Sequence, residues 1–246
     1  MPSICFYFQV HQPYRLRHYS FFDIGQDHFY EDAEVNRTIA ERTHLTKEQF
    51  LKVVLLPQGQ FAQFLKSAFS LSGVAMDHFE EYQPEILDSF RALVDTGCVE
   101  LLSETYAHSL AALYDPDEFR AQVALHDQLI KKHFGATPRV FRNTELIYRN
   151  DIARMVEDMG YEAILTEGAD HILGWRSPNY MYQPSSCTKL KLLLKNYRLS
   201  DDIAFRFSNR GWDQWPLTAE KFAGWAHAVN GAGELINLFM DYETFG

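Results

Sequence analysis

The sequence has little cysteine and no clustered cysteine ligands. Its three cysteines, Cys5, Cys98 and Cys187, lie far apart, and none belongs to a CxxC pair. A disulfide framework or a structural zinc site requires suitably spaced ligands, so neither is expected. We interpret the three residues as buried, reduced thiols.

Positive charge and long apolar runs are also scarce. Lys and Arg total 23 against 33 Asp and Glu, a net charge of −10. Without a basic stretch, nucleic acid is not an expected partner. No apolar window approaches the ~20 residues of a membrane helix. The N-terminus lacks the basic and long apolar regions of a secretion signal, so a cytoplasmic location is expected.

Several catalytic motifs are missing. The chain contains no GxxxxGK[ST] phosphate loop, no GxGxxG motif, no GxSxG nucleophile elbow and no HExxH pair. These absences argue against the enzyme classes that depend on those motifs.

What the chain does contain is the composition of a soluble globular protein. Of its 246 residues, 46% are hydrophobic and 23% charged. We find no repeat or flexible linker and predict one domain over residues 1–246. Aromatic residues reach 15%, and their flat faces fit carbohydrate binding as well as core packing.

Short apolar runs alternate with amphipathic segments along the chain. The runs predict strands at residues 4–10, 67–72, 98–102, 139–142, 163–166, 203–207 and 235–240. Between them, Asp115-Pro116 is typical of a helix start and Gly135 of a helix end. Such alternation predicts a parallel α/β sheet, either open or closed into a barrel. Long loops at residues 14–32 and 175–182 are expected near the active face.

Acidic and imidazole side chains follow several of these strands, where barrel enzymes place their sites. Taken singly, each has an ordinary explanation, such as a salt bridge, a helix cap or a hydrogen-bonded core histidine. Glu104 and His108, four residues apart, fit a structural pair on one helical face. His11, His108 and Asp241 are a minor candidate for a metal trio. Paired carboxylates among aromatic residues fit glycoside cleavage better.

Five ordered segments spread over nearly the whole chain resemble the motifs of glycoside hydrolase family 57, in its α-amylase branch. They are His11-Gln12-Pro13, Gly97 to Leu102, Phe141 to Glu145, Leu199 to Phe205 and Asp241 to Gly246. The resemblance implies an incomplete (β/α)7 barrel with parallel strands. It also implies retaining cleavage or transfer at α-1,4-glucosidic bonds, with an α-glucan or maltooligosaccharide as substrate and no cofactor or metal.

The resemblance assigns roles residue by residue. Glu145 matches the nucleophile and Asp201 the general acid/base, although the adjacent Asp202 is an alternative. Their carboxyl groups are expected about 5–5.5 Å apart. Arg142 is expected to help keep Glu145 ionised. The candidates for binding sugar hydroxyls are His11, His108, Asp202, Asp241 and Glu243. The aromatic candidates for stacking on sugar rings are Trp212, Trp175, Trp215, Tyr148 and Tyr180, and any one of them fits a place in the core equally well.

Two departures from the family pattern leave alternatives open. The sequence ends at Gly246, directly after the fifth motif, so we expect a domain truncated before the family's usual C-terminal helical region. Residues 43–65 form an atypical segment that resembles part of the ATPase subunit of DNA-break-processing nucleases. The alternatives are a non-catalytic glucan-binding relative or fragment, and a metal-dependent enzyme similar to polysaccharide deacetylases.

Overall fold

The computed structural model describes residues 2–41 and 66–245, and the atypical segment 43–65 lies outside them. The strands of the described part are β1 (Ser3–Val10), β2 (Ser67–Leu71), β3 (Val99–Leu102), β4 (Val140–Arg142), β5 (Ala163–Thr166), β6 (Lys191–Leu194) and β7 (Leu235–Asp241). The helices are α1 (33–41), α2 (Gly73–Tyr82), α3 (Pro84–Asp95), α4 (Ala111–Tyr114), α5 (Pro116–Phe134), α6 (Asn150–Asp158), α7 (Asp170–Leu173), α8 (Tyr197–Asp201) and α9 (Ala219–His227). Within this part of the chain, no helix is long and apolar enough to cross a membrane.

The strands form a parallel barrel. One sheet has the order β3-β2-β1-β7 and the other β4-β5-β6, and every strand pair within them is parallel. Single parallel bridges join the two sheets, between Ser103 and Phe141 on one side and between Lys195 and Asn237 on the other. Hydrogen bonds cross both seams, including Arg142 N–H to Ser103 O at 2.8 Å. The predicted seven-stranded α/β barrel is confirmed.

Side chains alternate between the inside and the outside of this barrel, as the strand period requires. Tyr7, Ala68 and Leu102 pack together in its centre. Phe8 and Phe69 face outward into the larger core against the helices. Burying a side chain such as Phe69 contributes about 2–3 kcal/mol, so the outer core fixes the register of β1 against β2. That register determines which polar side chains meet at the C-terminal ends of the strands, which form one rim of the barrel.

Helix α5 begins and ends where the sequence predicts. The Asp115 side chain accepts hydrogen bonds from the Asp117 and Glu118 N–H groups, and Pro116 occupies the first helical position. Gly135 closes the helix in the left-handed region at φ 64°, which glycine adopts without steric cost. The helix therefore buries Phe119 and places its apolar face against the barrel.

The predicted sixth strand at residues 203–207 is wrong. The strand is Lys191–Leu194, and residues Asp202–Arg206 form a π-helical turn that continues from α8. The short, mostly apolar run from Ile203 to Phe207 resembles a strand, but Leu199 and Ile203 are four residues apart and pack into one core. An ion pair of 2.6 Å between Asp202 and Arg206 also has helical spacing. Asp201 accordingly ends a helix rather than preceding a strand.

Candidate active site

Glu145 stands on a strained turn directly after β4. Its backbone lies in the left-handed region at φ 52° and ψ 25°, and the next residue, Leu146, has φ 55°. Each such non-glycine residue costs about 1 kcal/mol or more. The Glu145 side chain is 73% exposed, so the strain presents a carboxylate to the outside of the barrel end. Strain of this kind persists only where neighbouring contacts hold it.

Three contacts hold this turn in place. Leu146 is buried in the barrel interior. The Thr166 hydroxyl, at the end of β5, donates to Leu146 O at 3.1 Å. The Asn143 side chain donates to Ile147 O at 2.9 Å. The turn is thus fixed by β5 and by its own loop, which makes the position of Glu145 reproducible.

His108 connects Glu145 to the barrel interior. It follows β3, also has positive φ (52°), and its two ring nitrogens face two carboxyl groups. Nδ1 lies 2.8 Å from Glu104 Oε2, and Nε2 lies 3.3 Å from Glu145 Oε1. The imidazole therefore bridges a buried and an exposed carboxylate.

Glu104 is the buried carboxylate of this pair, with no exposed side-chain surface. Its Oε1 accepts hydrogen bonds from the Ser70 hydroxyl at 2.6 Å and from Gln9 Nε2 at 3.3 Å. Burial alone would raise the pKa of Glu104, but the hydrogen bond from His108 and the charge of Arg142 outweigh it and lower that pKa to about 2. An ionised Glu104 can only accept, so Nδ1 of His108 donates to it.

Arg142 lies beneath His108, at the end of β4. Its side chain is 2% exposed, and Nη1 lies 3.9 Å from Glu104 Oε2 and 3.5 Å from His108 Nδ1. The guanidinium carbon stands 5.1 Å from the centre of the Phe239 ring. Burial lowers the pKa of Arg142, while Glu104 and Glu145 raise it. The structure therefore brings Arg142 against Glu104 and His108, and its charge reaches Glu145 only at longer range.

His11 and Asp241 come from the neighbouring strands β1 and β7. The His11 ring stacks on that of His108 with centroids 4.2 Å apart, and its Nδ1 lies 2.7 Å from the Ser72 hydroxyl. Burial and the charge of His108 lower the pKa of His11 to about 4. Loss of surrounding water raises the pKa of Asp241, with Arg142 opposing and Glu145 adding to that change. Both residues thus lie near His108 and Glu145 at the C-terminal end of the barrel.

Asp201, at the end of α8, is connected to these residues by Lys195, the residue after β6. Asp201 Oδ1 lies 3.9 Å from Lys195 Nζ, and that ammonium lies 5.5 Å from the centre of the Phe239 ring. Asp202, in contrast, is held by Arg206. Asp201 is therefore the member of the pair that shares partners with the Glu145 cluster.

Of the remaining predicted residues, Glu243 lies at the rim and Trp212 lies on the outside of the barrel. Glu243 accepts a 2.8 Å hydrogen bond from the Gln12 side chain, so the first and fifth motifs meet at this rim. Trp212 packs edge-on against Trp225 of α9, with centroids 5.9 Å apart. That contact ties Trp212 to the barrel exterior rather than to the histidine pair.

The other aromatic candidates differ in exposure. Trp175 is 93% exposed, whereas Tyr148 packs on a core cluster and donates to Asn150 Oδ1 at 2.9 Å. Trp215 and Tyr180 are partly exposed. Trp175 is thus the most exposed member of this group.

The proposed metal trio of His11, His108 and Asp241 is not supported. Among residues 2–41 and 66–245, no three His, Cys, Asp or Glu side chains are grouped so that they could hold a metal ion. The two imidazoles stack face to face, and both nitrogens of His108 face carboxylates. Their lone pairs therefore do not converge on a common point, as metal binding requires.

Two residues of this site have no role assigned by the sequence motifs, namely Glu104 and Lys195. Glu104 stands among the acids that follow predicted strands, where a buried carboxyl group needs partners to offset its burial. Nothing in the sequence pattern singles out Lys195.

Comparison with known proteins agrees with the motifs. A family model described as "Glycosyl hydrolase family 57" matches residues 5–246. The chain belongs to glycosyl hydrolase family 57. A curated protein of Methanocaldococcus jannaschii, named "Putative alpha-amylase", is 46% identical over 99% of this chain and 51% of its own length. The chain thus spans about half of that relative.

Two solved structures share the fold at low identity. A 4-alpha-glucanotransferase from Thermococcus litoralis superposes with a TM-score of 0.72 at 16% identity, over 99% of this chain and 34% of the other. The alpha-amylase AmyC from Thermotoga maritima gives 0.68 at 12% identity, over 100% of this chain and 68% of the other. At these identities the likeness shows the barrel fold and nothing finer.

Proposed function

We propose that this protein cleaves or transfers α-1,4-linked glucan chains with retention of anomeric configuration, using Glu145 as nucleophile and Asp201 as general acid and base. The observation that carries the proposal is the presentation of Glu145. Its strained backbone, its exposed carboxylate and its contact with His108 all lie at the C-terminal end of the barrel, where barrel enzymes have their sites. The names of two similar proteins, an amylase and a glucanotransferase, support an α-glucan as substrate.

The first step forms a bond between a Glu145 oxygen and the anomeric carbon. The bond from that carbon to the glycosidic oxygen breaks, and the leaving oxygen takes a proton from Asp201. In the second step, Asp201 removes a proton from water or from a sugar hydroxyl. The resulting oxygen attacks the anomeric carbon and releases Glu145, giving hydrolysis with water and transfer with a sugar.

Surrounding residues supply fixed dipoles and charges for this chemistry. His108 is held by Glu104, so its Nε2 keeps one orientation toward Glu145. His11, Asp241 and Glu243 lie on the same rim and offer partners for sugar hydroxyls. Because these groups are positioned before substrate arrives, they cost little reorganisation in the transition state.

Replacing Glu145 by Gln tests the proposal. With maltooligosaccharides as substrate, the full chain carrying E145Q is expected to lose on the order of 10³-fold or more in kcat/KM, which corresponds to about 4 kcal/mol. The control is E162Q, an exposed glutamate at the opposite end of the barrel, which should retain activity. Undiminished turnover by E145Q would refute the assignment. Dextrin binding without product release by the unmutated protein would favour a non-catalytic glucan-binding protein.

A further inference from the structure

Lys195 lies between two carboxylates at the rim of the barrel. Its Nζ is 3.3 Å from Glu167 Oε2 and 3.9 Å from Asp201 Oδ1. Its side chain is only 14% exposed and lies along the ring of Phe239. A lysine in this position has little freedom to turn away from either acid.

Glu167 is held in place on both sides. One carboxylate oxygen accepts from the N–H of Gly168 at 3.1 Å, and the other accepts from Lys195. Gly168 itself approaches the neighbouring chain so closely that an added Cβ would stand 2.2 Å from Lys195 O. Only glycine fits this approach, and the ends of β5 and β6 are thereby held together. The contact between Glu167 and Lys195 is therefore a built feature of the rim.

Lys195 and Glu167 have opposite effects on the Asp201 carboxyl group. A general acid must carry a proton when substrate binds, yet an ammonium group within about 4 Å of a carboxyl group favours the ionised form. A second carboxylate bound to the same ammonium offsets that effect. The other charged groups near Lys195 are Asp241 on β7 and, across the Phe239 ring, Arg142.

We propose that Glu167 is a positioning residue which, by pairing with Lys195, offsets the pull of that ammonium group on the Asp201 carboxyl group and so favours proton donation by Asp201. This inference rests on the proposed function, because it gives Asp201 the role of acid. Glu167 does not touch the reacting atoms and acts only through Lys195. The arrangement links the acidity of the catalytic group to a glutamate on the neighbouring strand end.

The test is the pH dependence of kcat/KM with a maltooligosaccharide. In E167Q the lysine charge is unopposed, so the basic limb of the profile is expected to move to lower pH by about one unit. In K195M the ammonium is removed and Glu167 remains, so the same limb should move to higher pH. The double variant should return the limb close to its original position, while the acid limb stays in place in all three.

Matched controls come from the other end of the same strands. E162Q and K191M alter a glutamate just before β5 and a lysine at the start of β6, whose backbones are hydrogen-bonded to each other. Neither should move a limb. A purely structural role would lower kcat in E167Q without shifting the profile, and that result would overturn the inference.

The outcome separates this inference from the proposed function. If E145Q abolishes turnover but the basic limb is unmoved in E167Q and K195M, the inference fails and the proposed function stands. If E145Q remains active, the proposed function fails, and the inference that rests on it fails as well. Movement of the limb in the same direction in both single variants would also overturn the inference.

Discussion

Replacing Glu104 by Gln should destabilise the protein in a way that depends on pH. The pKa of Glu104 falls from 4.5 to about 2 in the folded protein, and each pKa unit corresponds to about 1.4 kcal/mol. Ionised Glu104 therefore contributes about 3 kcal/mol to the free energy of unfolding. Because the folded pKa is lowered, this contribution is present above pH 4.5 and is lost as the pH falls toward 2.

The assay is chemical denaturation of the wild type and E104Q, followed by tryptophan fluorescence at several pH values. At pH 7 the variant should have a free energy of unfolding lower by about 3 kcal/mol, because it leaves Arg142 buried without its charged partner. At pH 3 the difference should shrink to roughly half, since Glu104 of the unfolded wild-type chain is then largely protonated and folding must release that proton. The slope against denaturant should be the same in both proteins.

Glu100 provides the control, because it lies near the start of β3, the strand whose other end leads to Glu104. Its side chain is 40% exposed, and its partner Arg139 lies 3.4 Å away and is 61% exposed. Exposed pairs of this kind contribute at most about 1 kcal/mol, so E100Q should change stability little. Equal stability of E104Q and wild type at pH 7, or a difference that does not vary with pH, would refute the reasoning.

Three further predictions concern single side chains. Thr166→Val removes the hydroxyl that holds Leu146 O. The free energy of unfolding should fall by about 1 kcal/mol, and kcat should fall by a larger factor than KM changes; unchanged kinetics would contradict this. Tyr161→Phe leaves Asp127 without the 2.7 Å bond from the tyrosine hydroxyl and should cost about 1–3 kcal/mol by urea denaturation; a neutral result would argue against it. Burial lowers the pKa of His11 from 6.5 to about 4, so wild-type stability should decrease as the pH falls through that window, and His11→Asn should flatten the decrease; an equally steep decline would exclude this role.

Local pattern was enough to predict most of the fold. Six of the predicted strands are confirmed, because each is a short apolar run bounded by turn or helix signals. The error at Ile203 arose where helical and strand periods both fit a few residues. Packing of Leu199 and Ile203 into one core decides that case, and such tertiary contacts cannot be read from a five-residue window.

The candidate site was harder to predict than the fold. Motif resemblance assigned Glu145 and Asp201. Barrel topology brings to one rim the end of β4, which Glu145 follows, and the end of β6, which α8 and Asp201 follow. Glu104 and Lys195 depend on partners far away in sequence, such as Ser70, which meets Glu104 only because β2 and β3 pair in one register. A shift of one residue would turn Ser70 to the other face of its strand. The partners of a buried charge therefore had to come from the structure.

The most direct test of the account is to identify the residue that becomes covalently attached to sugar. The full chain would be incubated with a maltosyl fluoride that carries a second fluorine on the sugar ring to slow release of the intermediate. It would then be digested and analysed by mass spectrometry. The account predicts a glycosyl adduct on the peptide containing Glu145, and no adduct in E145Q. An adduct on another residue, or product formed by E145Q at the wild-type rate, would contradict it.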